Sequence, residues 1–216
     1  MVEHRRAFHQ ELEDIEAKVV DLFGMVAEDL PLATQALLSG DSEVARTLAQ
    51  RDKAIDDLYP RIEDLADKEL VLQQPVASDL RFLVSVLRVV PELERSHDLV
   101  VSIARRASYV RSEDLSPRAR GFVEQMGDVA AEMWSEAVDC WRQRDKSAAA
   151  ALDERDDEMD ELYASLMAEL GSGGMTLPVT MEMTLVARFY ERLSDHAVNI
   201  ARRVVYLAGS VPASLS

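Results

Sequence analysis

Phe8, Leu12, Ile15, Val19, Leu22 and Val26 recur every three or four positions near the start of the chain. That spacing lines one face of an α-helix. The same rhythm runs to the end of the chain, and no stretch alternates apolar and polar residues as a half-buried strand does. The breaks fall at Ser39-Gly40-Asp41-Ser42, at Gln74-Pro75, between Ser112 and Pro117, and at Gly171-Ser172-Gly173-Gly174. They divide the chain into six predicted helices, over about 3–38, 43–72, 77–111, 118–144, 146–170 and 178–207. Asp41 or Ser42 is the expected N-cap of the second helix. Pro31 and Pro91 are expected to bend the helices that contain them. Residues 210–216 are expected to fray.

The second half repeats the first. Asp41, Ala45, Leu48, Arg51, Asp52, Asp56, Leu58 and Tyr59 recur 104 positions later as Asp145, Ala149, Leu152, Arg155, Asp156, Asp160, Leu162 and Tyr163. A second block, Glu94-Arg95-Ser96-His97-Asp98 through Ile103-Ala104, recurs 97 positions later as Glu191-Arg192-Leu193-Ser194-Asp195 through Ile200-Ala201. An all-α fold of two tandem antiparallel three-helix bundles follows, over 1–111 and 118–209 with 112–117 as linker.

Composition narrows the function. A formal net charge of −16 argues against nucleic acid, whose binding rests on a basic footprint, and against an anionic membrane surface. One cysteine, Cys140, excludes an intrachain disulfide and fits a reducing cytoplasm. The chain shows neither a signal-peptide pattern nor an apolar run of membrane-spanning length, so a soluble cytoplasmic protein is expected.

The repeat selects four acid pairs out of many. Asp52 and Asp56, Glu94 and Asp98, Asp156 and Asp160, and Glu191 and Asp195 each sit four residues apart and recur in both halves. Such a pair shares a helix face and repels by about 0.2–0.5 kcal/mol when exposed. By helical angle, all four pairs interrupt apolar stripes, where an uncompensated carboxylate is costly. Either a cation or the neighbouring Arg51, Arg95, Arg155 and Arg192 must offset that cost. Within each bundle the two pairs are expected to converge on one metal site. Carboxylate ligands favour magnesium, manganese or iron ahead of zinc.

Glu94-x-x-His97 matches half of a di-iron bundle signature, but Ser194 replaces the second His, which disfavours an oxidase. His196, Cys140, Trp134 and Trp141 are expected to be structural, and no nucleophilic or phosphate-loop motif is present. Three functions remain: a non-enzymatic regulator, a carboxylate-bridged metal enzyme or iron store, and a metal-free helical scaffold.

The chain resembles the PhoU regulators of bacterial phosphate uptake. The resemblance rests on Asp52-x-x-Ile55-Asp56, on Gln74-Pro75-Val76-Ala77-Ser78-Asp79-Leu80-Arg81, and on both Glu-x-x-x-Asp blocks. Glu191-Arg192 with Asp195-His196-Ala197-Val198-Asn199-Ile200-Ala201 is its most specific part, and the Arg202-Arg203 ending looks like actinobacterial members. The resemblance implies a pseudo-twofold between the bundles and metal sites at the same four pairs. It also implies a cytoplasmic negative regulator that links a phosphate ABC transporter's ATPase subunit to a phosphate-sensing histidine kinase. A homodimer is expected. Family members usually carry Gly where His97 and Ser194 stand. His97 therefore either adds a ligand to the first site or blocks it.

Overall fold

The computed structural model describes residues 2–209; the predicted frayed tail, 210–216, lies outside them. Six α-helices account for almost all of that span: α1 Val2–Ser39, α2 Ser42–Gln73, α3 Ala77–Arg105, α4 Pro117–Gln143, α5 Ala148–Gly171 and α6 Leu177–Leu207. Asp41 caps α2, its carboxylate accepting from the amides of Glu43 and Val44 at 2.9 and 3.3 Å. Gly40 precedes it at φ +75, in the left-handed region that glycine enters without strain. Helices α1, α2 and α3 run unbroken through Pro31, Pro60 and Pro91. The prolines remove single backbone bonds without ending the helices.

Helix α3 ends at Arg105, short of the predicted Arg111. Two 3₁₀ turns, Arg106–Ser108 and Ser112–Asp114, carry the chain to α4. The amides of Tyr109 and Val110 both bond the Arg106 carbonyl, at 2.9 and 3.0 Å. This tight closure buries Ala107 and Val110, and that burial outweighs helical propensity here.

Helices α1–α3 pack mutually, as do α4–α6. The two bundles then join through α1 on α4 and α3 on α6, and their apolar side chains form one continuous core. Phe23 of α1 meets Trp134 and Trp141 of α4, with ring centroids 6.4 and 5.7 Å apart. The Trp134 indole N–H donates to the Leu193 carbonyl of α6 at 3.2 Å. The Thr34 and Tyr190 hydroxyls bond each other at 2.8 Å across the same junction. Trp134, Trp141 and Cys140 are buried core residues, as expected. The Cys140 thiol, held up to about 11 by burial, then by Asp145, donates to the Asp145 carbonyl.

Gly127 of α4 packs tightly against Thr34 of α1. A Cβ there would stand 2.5 Å from Thr34 Cγ2 and 3.1 Å from Thr34 Cβ. Thr34 is β-branched and tied to Tyr190, so it cannot swing away cheaply. Gly127→Ala should therefore cost about 1–2 kcal/mol by overpacking, read as a lower denaturant midpoint. A midpoint at or above wild type would show that the helices part freely at this crossing.

Candidate metal centres

The repeat register extends beyond the segments that reveal it. At the same offset of 104, Asp29 of α1 corresponds to Met133 of α4; at the offset of 97, His97 corresponds to Ser194. These four residues and the acid pairs form two related but unequal sites.

In the first bundle, Asp52 and Asp56 of α2 face Glu94 and Asp98 of α3. Glu94 feels the charges of Asp98, Asp56 and Asp52, and Asp98 those of Asp52 and Asp56. In the second, Asp156 and Asp160 of α5 face Glu191 and Asp195 of α6, coupled in the same way. The fold thus brings the predicted acids of each bundle to one place. Their burial differs from expectation. Asp52, Glu94, Asp156 and Glu191 are half-buried, whereas Asp56, Asp98, Asp160 and Asp195 are exposed.

Desolvation first, and then mutual repulsion, lifts Glu94, Asp98 and Glu191 above the usual carboxylate range. Asp156 is also raised, by burial and by Asp195 and Asp160, against a lowering bond from Ser194. Raised carboxylates in a cluster indicate too little positive charge nearby. Three of the four flanking arginines make their ion pairs outside the clusters. Arg51 pairs with Asp29, Arg95 with Glu92, and Arg155 with Glu132 and Glu136 at 2.5 and 2.8 Å. Among the described residues, Glu191 pairs with Arg188 and Asp52 with His97. The other oxygen of Glu191, Oε2, is buried without a hydrogen-bond partner.

His97 sets the two sites apart. The ring is fully buried, its Nδ1 2.7 Å from Asp52 and its Nε2 3.0 Å from Asp29. Burial alone would lower its pKa, but the bonds to Asp29 and Asp52 outweigh it and raise the imidazole above its usual value. Asp29, itself fully buried, also receives Arg51. One network therefore ties α1, α2 and α3 together. Its second-bundle counterpart is neutral at two positions: Ser194 donates to Asp156 at 2.7 Å and lies 2.9 Å from the Met133 sulfur. In this arrangement both nitrogens of His97 face carboxylates, Asp52 and Asp29. His196 is buried, its Nδ1 2.8 Å from the Ser96 hydroxyl across the α3–α6 contact.

Among the described residues, no three His, Cys, Asp or Glu side chains are gathered tightly enough to hold a metal ion in this arrangement. The donors nevertheless fit a hard cation: clustered, raised carboxylates and, in the second bundle, an orphaned buried oxygen. Asp29 was not anticipated from the sequence, although it continues the Ile15, Val19, Leu22, Val26 stripe and so marks a buried acid.

Comparison with known proteins agrees with the duplicated architecture. The PhoU domain model matches residues 19–107 and again 123–204. The phosphate-specific transport system accessory protein PhoU homolog 1 of Mycobacterium leprae is 34% identical over 96% of both chains. Homolog 2 of Mycobacterium tuberculosis is 34% identical over 96% of this chain and 100% of its own. The crystal structure of PhoU from Pseudomonas aeruginosa superposes with a TM-score of 0.86 at 32% identity, covering 93% of this chain and 98% of that one. That from Streptococcus pneumoniae superposes with a TM-score of 0.85 at 27% identity, over 94% and 97%. Two copies of one domain, end to end across the chain, make this protein a member of the PhoU family.

Proposed function

We propose that this protein is a cytoplasmic accessory regulator of phosphate transport that restrains uptake and phosphate-starvation signalling when phosphate is plentiful. The observation that carries this reading is the near-full-length match, over 96% of the chain, to relatives named phosphate-specific transport system accessory proteins. The partners that fit are the ATPase subunit of a phosphate ABC transporter, its sensor histidine kinase and a second copy of this chain. The protein acts by contact rather than by chemistry. Exposed apolar side chains at the α2–α3 turn (Val71, Leu72, Val76) and at the start of α6 (Leu177, Met181) offer surface for such contacts. No helix among the described residues is long and apolar enough to cross a membrane.

Metal binding belongs to this reading as a stabilising device. Asp52, Asp56, Glu94 and Asp98 would hold a hard cation in the first bundle, and Asp156, Asp160, Glu191 and Asp195 in the second. The cation supplies positive charge that the clusters lack, and so fixes the α2–α3 and α5–α6 seams. Magnesium, manganese and iron suit these oxygens. A deletion strain tests the regulatory role. Phosphate-starvation genes should be expressed in high phosphate when the protein is absent; continued repression, as in wild type, would count against it.

A further inference from the structure

Helices α3 and α6 flank a cleft of about 650 Å³ that none of the eight paired acids lines. Four arginines line it: Arg88 and Arg95 from α3, Arg202 and Arg203 from α6. In a chain of net charge −16 this is a local reversal of sign. Arg202 is paired with Asp153 at 3.0 Å, and Arg95 with Glu92 at 3.5 Å. Glu92 also reaches His196 at 3.6 Å, so its charge is already shared. Among the described residues, neither Arg88 nor Arg203 has a carboxylate partner in ion-pair range. Arg203 sits 5.5 Å from the Tyr206 ring centroid, and burial, then the charge of Arg88, lowers its pKa.

The first half of the repeat shows what is missing. At the offset of 97, Arg203 and Tyr206 correspond to Arg106 and Tyr109. Arg106 is neutralised: Glu182 of α6 pairs with it at 2.8 Å, and Phe189 lies 5.5 Å from its guanidinium. The residue in register with Glu182 is Ser85, which is buried with no partner for its hydroxyl. The arginine is kept in both halves; the acid that satisfies it is present in one. No acid stands in register with Glu182 to pair with Arg203.

We propose that the α3–α6 cleft binds a small phosphoryl-bearing anion, gripped by the facing guanidinium groups of Arg88 and Arg203. Guanidinium forks match the oxygens of a phosphoryl group two at a time, which a single point charge does not. Arg95 and Arg202 add charge at the rim, and Asn199 and Tyr206 add polar groups. The cleft has room for more than one phosphoryl group, so pyrophosphate should bind more tightly than orthophosphate. The occupant touches one helix from each bundle and so clamps them together. None of the eight paired acids lines the cleft, and the proposal does not depend on the metal or regulatory reading.

Calorimetric titration of the full chain with orthophosphate, pyrophosphate and ATP, without added metal, tests this. Saturable binding of at least one of them at one site per chain is expected, weakening as salt is raised. Preference for pyrophosphate would assign an inorganic ligand, and preference for ATP a nucleotide; each upholds the site. Arg88→Ala with Arg203→Ala should lose at least tenfold in affinity. Arg88→Lys with Arg203→Lys should fall between that variant and wild type, which separates a lost fork from a lost fold. Glu191→Ala with Asp195→Ala should leave anion affinity unchanged. The proposal is overturned if none of the three anions binds, or if the Arg88/Arg203 alanine variant binds as tightly as wild type.

Discussion

Asp29→Ala should destabilise the protein by about 3–5 kcal/mol, the range for removing one partner of a buried ion pair. Asp29 is fully buried and accepts from both His97 and Arg51. Arg51 is half exposed and regains water when its partner goes. His97 cannot, because its side chain is fully buried and Asp29 is the only partner of its Nε2. The imidazole then either stays charged with one acid instead of two, or turns neutral with a buried N–H unsatisfied, at about 1–3 kcal/mol. The second bundle shows the alternative solution to the same packing problem, with Met133 and Ser194 in these places. Asp29→Met with His97→Ser should therefore recover most of what Asp29→Ala loses. Denaturant unfolding of the two variants measures this. A double variant no more stable than the single would mean that the bundles do not share one template here.

The helices were legible because each long amphipathic stripe is bounded by Gly, Pro or a capping residue, as at Gly40-Asp41 and Gly171 to Gly174. The duplication was legible because identical residues keep one offset. What the sequence misplaced was depth. Helical angle put Asp56, Asp98, Asp160 and Asp195 in line with apolar residues, and they are exposed. A stripe drawn at fixed angle cannot show where a long helix leaves its neighbour. Partner choice was hidden for a similar reason. Arg51 and Arg155 stand next to Asp52 and Asp156 in sequence, but successive residues point about 100° apart on a helix. They reach across to α1 and α4 instead. Asp29 was visible as an acid in an apolar stripe, yet its counterpart is Met133, so a search restricted to acids repeated in both halves passed over it.

The crowded acids of the two clusters make stability depend on pH and on cations in a way that inverts the usual expectation. Glu94, Asp98, Asp156 and Glu191 have folded-state pKa values above their ordinary ones. The folded chain therefore holds protons more readily than the unfolded chain, and stability falls as pH rises through that window. His97 adds to the trend. Its raised pKa contributes stability that is complete below the ordinary histidine value of about 6.5 and is lost as pH rises through the folded value. His196 opposes it: burial, the largest cause, lowers its pKa, so its contribution grows as pH rises toward the ordinary value and is constant above it. Metal-free protein should accordingly be more stable near pH 5 than at pH 8. A saturating hard cation should remove the carboxylate part of that decline, adding about 2.7 kcal/mol at one hundred times its dissociation constant. The second cluster should supply most of the effect, because Asp156 is bonded only by the neutral Ser194 and Glu191 keeps a buried unpartnered oxygen. In the first cluster Asp52 already has His97. Thermal unfolding with manganese at pH 8 tests the inequality. Glu191→Gln with Asp195→Asn should stabilise the metal-free chain and abolish most of the manganese response; Glu94→Gln with Asp98→Asn should remove less. Equal losses from the two pairs would show that His97 does not stand in for a metal ion in the first bundle.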